Sequence, residues 1–141
     1  MKLKIKTNFD FSKLSRQLDK ITGQYLEGFA VEAAKGSKDN IDRGLKPSLK
    51  KSTKNIRKWR KQPPSPPLKA SGQLYNSIKP INNTLEMDYY GWDHHTGFKT
   101  HPKSLFPNWT IPARPFIATT AKNRDKIDKE FMININKALK K

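Results

Sequence analysis

From Arg43 to Leu85 the chain carries no Asp or Glu, yet it carries Arg43, Lys46, Lys50, Lys51, Lys54, Arg57, Lys58, Arg60, Lys61, Lys69 and Lys79. Cations this dense, with no counter-charge among them, repel one another and cannot be packed together. Inside the same stretch, Gln62-Pro63-Pro64-Ser65-Pro66-Pro67 reads as a stiff polyproline-like connector, because its prolines lack backbone donors and have fixed φ. The centre of the sequence is therefore a poor source of core, and the flanks must supply it. A second acid-free stretch runs from His94 to Arg124, and only Glu86, Asp88 and Asp93 separate the two. The remaining acids lie at Asp10, Asp19, Glu27, Glu32, Asp39 and Asp42, then at Asp125, Asp128 and Glu130.

Both flanks have helical periodicity. Phe11, Leu14, Leu18, Ile21, Tyr25, Phe29 and Ala33 recur at three- and four-residue steps, which predicts a long helix from Phe11 to about Asp42. Asp10 or Ser12 can cap it and Gly36 or Gly44 can end it. Gly23 and Gly28 each cost about 1 kcal/mol in a helix interior and predict a bend or close packing. At the other end, Ile127, Phe131, Ile135 and Leu139 step by four, predicting a second helix from Phe116 to Lys141. Pro115 stands near its start, where a missing N–H is harmless, and Lys137, Lys140 and Lys141 suit its C-terminal dipole.

Shorter signals lie elsewhere. Lys2–Thr7 alternates Leu3 and Ile5 with lysines, as a half-buried strand does. Pro47–Pro67 reads as a loop in which Ser52–Lys61 forms a basic helical turn with Ile56 and Trp59 as its apolar pair. Leu68, Leu74 and Ile78 are the apolar anchors of Pro66–Ile78. Gln73–Pro80 and Thr84–Trp92 read as two extended elements joined by a turn at Asn82-Asn83. Asp93–Thr110 reads as a loop, and Trp109 and Ile111 return as a short edge strand that Pro112 stops. The expected fold class is α+β: a small antiparallel sheet packed by the long N-terminal helix and the C-terminal helix, with a long basic Pro-rich loop. One domain is expected over residues 1–141, with 44–69 as an extended basic arm or loop.

At 141 residues and 34% hydrophobic content the core must be modest. With no cysteine there is neither a disulfide framework nor thiolate chemistry. No apolar run approaches the roughly 20 residues of a membrane span, and Met1–Phe11 is too polar for a signal peptide. A net charge of +17 implies an anionic partner: nucleic acid, an acidic protein surface or anionic lipid.

Catalytic signals are weak. His94, His95 and His101 lie beside Asp93, but their spacing matches no zinc pattern. There is no Gly-rich phosphate loop, and Ser71 and Ser77 have no neighbouring base in sequence. No catalytic residue, metal or cofactor is expected. The strongest polar candidate is Arg114, held between Ala113 and Pro115 on a stiff backbone and suited to a bidentate ion pair with a carboxylate on its own chain or a neighbour's. Lys54, Arg57, Lys58, Trp59 and Lys61 of the basic helical turn join it as candidate contacts to a subunit, a tail protein or DNA.

Three stretches together resemble one family, the tail-completion or virion-morphogenesis proteins of tailed phages. The first is Leu68, Ser71, Gly72, Leu74, Ser77 and Ile78. The second is Tyr90, His94 and Gly97, and the third is Pro112-Ala113-Arg114-Pro115-Phe116 shortly before the last helix. The chain departs from the family over Gly44–Gln62, where Trp59 follows Pro47, Leu49 and Thr53 instead of preceding them. The resemblance implies a non-enzymatic virion component, assembled in the host cytoplasm, that completes the tail and joins it to the head at the neck. It further implies a ring of like subunits, expected as a hexamer, touching neck, head-closure and tail-tube proteins, with the basic arm meeting either acidic protein or the DNA of the channel, and no membrane involved. It gives His94 a structural, hydrogen-bonding role. The contrasting expectation is a basic nucleic-acid-binding protein or small nuclease.

Overall fold

The computed structural model describes residues 10–119 and 121–140, so the strand expected at Lys2–Thr7 lies outside the described residues. Its longest element is α1, Phe11–Arg43. Asp10 caps it, with Oδ1 accepting from the Lys13 N–H at 3.0 Å. Gly44 ends it at φ +85°, its N–H donating to Ile41 O at 3.1 Å. Gly23 and Gly28 have nothing within 4 Å of an added Cβ, so neither marks the close packing expected of them. That role belongs to Gly36, which lies inside the helix against Ala118.

After α1 the basic stretch forms α2, Lys51–Trp59, and a short helix α3, Gln73–Ser77. A hairpin follows, β1 (Lys79–Ile81) and β2 (Thr84–Glu86), antiparallel with Ile81 opposite Thr84. Asn82 at φ +53° makes its turn, as expected at Asn82-Asn83. Then come α4 (Tyr90–Thr96), the strands β3 (Phe98–Lys99) and β4 (Thr110–Ile111), which pair antiparallel, and α5 (Ala121–Leu139). The class is α+β, with the N-terminal helix packed on the C-terminal helix and the strands held in two separate antiparallel pairs.

Three local readings are corrected. Gln73–Ser77 is helical, since the Asn76 N–H returns to Gly72 O at 2.8 Å and opens a turn that the β-branched alternation of a strand does not oppose. Tyr90–Thr96 is likewise a helix, ended by the Gly97 N–H bonding to Asp93 O at 2.7 Å. The last helix starts at Ala121, because Pro112–Ala118 runs extended beneath α1 before the chain can coil.

The core sits at the C-terminal end of α1. Ala34 and Ile41 meet Leu74, Ile78 and Phe116 there, and Leu45, Leu68, Tyr75, Leu85 and Met87 close around them. Antiparallel α5 covers α1 further out: Glu32 binds Asn123, Tyr25 Oη donates to Asp128 Oδ1 at 2.9 Å, and the Tyr25 and Phe131 rings are 4.5 Å apart. The apolar stripe of α1 from Leu14 to Phe29 is only half-buried, since a single helix covers it.

Candidate functional site

The three stretches, far apart in sequence, converge at one place. Gly72, at φ +79°, opens α3. Ser71 Oγ accepts from the Gln73 N–H at 3.3 Å, and Ser77 Oγ donates to Leu74 O at 2.8 Å while accepting from the Asp88 N–H at 2.9 Å. Ser77 thus fastens the end of α3 to the segment that enters α4. The Arg114 N–H donates to His94 O at 2.9 Å, binding the turn at Pro112–Phe116 to α4. Gly97, at φ +82°, lies against the same turn, and a Cβ there would sit 2.7 Å from Ala113 N. Phe116, at 0% exposure, reaches the core. Pro112 and Pro115 are both exposed, so Pro115 shapes the extended turn and does not start α5.

The histidines have separate duties. His94 is packed edge-on to Tyr90 and Phe98, with ring centroids 6.0 and 5.3 Å away. Its Nδ1 is buried without a hydrogen-bond partner, so the hydrogen bond that His94 makes to the turn runs through its backbone O. The His95 ring bonds to the same turn: Nδ1 accepts from the Phe116 N–H at 3.2 Å and the Ile117 N–H at 3.3 Å. His101 Nδ1 accepts from the Lys103 N–H at 3.1 Å in the β3–β4 connection. Burial, and then the Arg114 charge, push the His94 pKa below its ordinary value. Among the described residues no three His, Cys, Asp or Glu side chains are grouped to hold a metal.

Arg114 is buried to 8% exposure and makes no ion pair among the described residues, so a carboxylate on its own chain is not there. Its Nε donates to Pro47 O at 3.0 Å, so the acid-free sequence around it answers with a backbone carbonyl. Arg57 does the same from α2: its Nη1 donates to Pro66 O at 3.0 Å and Pro63 O at 3.4 Å. The Arg57 bonds brace the basic stretch within itself, and the Arg114 bond ties its start at Pro47 to the turn at Pro112–Phe116. Proline carbonyls, freed from any ladder, are natural acceptors for guanidinium groups. What α2 turns outward is its other side: Lys58 and Lys61 are exposed, Lys54 is half-buried, and Trp59 is 81% exposed.

Between α2 and β4 lies a cavity of about 360 Å³. Ser71, Leu74, His94, Pro112 and Arg114 from the three stretches all line it, together with Arg57 and Trp109. Lys50 Nζ stands 6.0 Å over the Trp109 ring at its edge. Sequence reasoning missed Arg57 as a wall residue, and the spacing of Thr53 and Arg57 on one helical face was the available signal. It also missed the clasp around Asp42, the last acid before the acid-free stretch. Asp42 Oδ1 pairs with Lys69 Nζ at 2.5 Å and Oδ2 accepts from Tyr75 Oη at 2.8 Å. The Lys69 ammonium lies 4.1 Å from the Tyr75 ring centroid.

Compared with family models, curated proteins and solved structures, the chain finds no match.

Proposed function

We propose that the protein is a structural component of a tailed-phage particle that completes the tail and joins it to the head at the neck, working through surfaces and without catalysis. The observation that carries this reading is the Arg114 N–H bonded to His94 O. It ties together stretches whose resemblance to tail-completion proteins rests on sequence alone, and Gly97 fits against Ala113 only as glycine. Residues chosen by resemblance thus depend on one another physically. The exposed face of α2 supplies the basic contact, and like subunits in a ring, a hexamer by the same resemblance, surround the channel through which DNA passes. The adjoining neck, head-closure and tail-tube proteins are its partners, and the assembled virion is where it resides. No described helix is long and apolar enough to cross a membrane.

The test is assembly: purified protein is expected to form closed rings and to sediment with tails. A monomer that neither oligomerises nor sediments with tails would refute it. One observation favours a second reading, that of a nucleic-acid-binding protein or small nuclease. Lys58, Lys61 and Trp59 form a basic, aromatic surface open to solvent. Tight oligonucleotide binding by a monomer, weakening steeply with salt, would select that reading.

A further inference from the structure

We infer that the cavity between α2 and β4 receives a carboxylate side chain, flanked by apolar residues, from a segment of a partner protein. The inference goes beyond the virion reading and does not rest on it, since it concerns what this cavity holds and not where the protein works.

Two guanidinium groups line the cavity and neither has an acid beside it. Arg114 bonds through Nε to Pro47 O, and Arg57 through Nη1 to Pro63 O and Pro66 O. These are the side-chain hydrogen bonds that the two guanidinium groups make among the described residues, and none goes to a carboxylate. Burial lowers both pKa values, Arg114 lowers that of Arg57 further, and no carboxylate raises either. Two partly desolvated cations of like sign are costly to hold side by side, and an anion between them offsets both the desolvation and the repulsion. Planar guanidinium matches a planar carboxylate through paired N–H donors.

The rest of the wall says what carries the anion. Leu49, Leu68, Leu74, Ile111 and Pro112 make it apolar, and Trp109 borders it. A sugar–phosphate backbone is polar throughout and gains nothing from such a wall. A peptide with an apolar side chain next to Glu or Asp fills it on both counts. The volume of about 360 Å³ is that of a small-ligand pocket, enough for a few side chains and too narrow for a duplex.

The experiment is an NMR titration of the full chain at 0.3 M salt, following the Trp109 indole N–H and the Arg114 Nε–H. The probe is a blocked tetrapeptide with one Glu between two Leu, so that its single charge gains little from the overall field of the protein. We expect saturable shifts at both resonances, with binding about tenfold weaker for the Gln analogue. Arg57→Gln should weaken the Glu peptide by a similar factor. Thr53→Glu, which places a carboxylate on the same face of α2, should abolish binding while leaving the outward face untouched. Equal binding of the Glu and Gln peptides, or no saturable shift, overturns the inference. So does inorganic phosphate or a thymidine oligonucleotide that saturates the same two resonances more tightly than the Glu peptide.

Discussion

Gly36 and Ala118 meet backbone to backbone: a Cβ on Gly36 would fall inside the contact radius of the Ala118 carbonyl oxygen. This approach lets the extended segment carrying Phe116 lie under α1, where Asn40 Nδ2 donates to Phe116 O at 3.0 Å. Gly36→Ala should therefore destabilise the fold by about 1–3 kcal/mol, an overpacking cost with backbone on both sides. Gly23→Ala, with nothing within 4 Å, should stabilise it by up to about 1 kcal/mol. Urea midpoints of the two variants should move in opposite directions.

Phe116 is fully buried and Leu105 is 91% exposed. Phe116→Ala should cost about 3–5 kcal/mol, and Leu105→Ala should change stability by less than about 0.5 kcal/mol. Thermal unfolding of both variants checks the contrast. A mild Phe116→Ala would mean that the core does not depend on the turn that delivers it.

The buried His94 makes stability depend on pH. Its folded pKa lies below the ordinary 6.5, so the unfolded chain binds the proton first as pH falls. Stability attributable to this group is complete above pH 6.5 and declines below it, until the folded form also protonates. The proton would enter a site already facing the Arg114 charge. His94→Phe should flatten that decline, as unfolding free energies measured across the acid side would reveal.

Charge reversal separates the two sides of α2. Lys58→Glu with Lys61→Glu alters exposed residues and should leave stability within about 0.5 kcal/mol, while abolishing attachment to an anionic partner. Arg57→Glu should instead loosen the basic stretch, because it loses the bonds to Pro63 O and Pro66 O and places an acid beside them. Chemical denaturation and tail co-sedimentation, run on both variants, distinguish the outcomes. Detachment only when Arg57 is changed would locate the contact in the cavity.

How much of this was legible follows from the range of the interactions involved. The two long helices announced themselves by periodicity, and cap chemistry narrowed the ends of the first to Asp10 or Ser12 and to Gly36 or Gly44, because both signals are local. Gln73–Ser77 did not, since five residues hold too little periodic signal to separate a helix from a strand. The start of α5 was misplaced because the backbone of Phe116 and Ile117 is held by the distant His95 ring and Asn40 side chain, and Ala118 packs on Gly36, none of which is local in sequence. Arg114 was recognisable as a stiffly presented polar group. Its acceptor, Pro47 O, was not, because backbone carbonyls carry no sequence label. The internal bracing of the basic stretch escaped for the same reason: charge counting shows repulsion, while the proline carbonyls that Arg57 binds are invisible to it.

Every buried residue of α1 lies from Ala30 onward, although the helix runs 33 residues, about 50 Å. Its amides should consequently exchange with solvent on two timescales. Those from Ala30 to Ile41 are locked in the core and exchange only when the whole domain opens. Those before Tyr25 are covered by α5 alone and exchange through local fraying of the helix pair. Shortening α1 and α5 together by matching turns at the outer end would then trim the reach of the molecule while leaving the exchange of the inner amides unchanged.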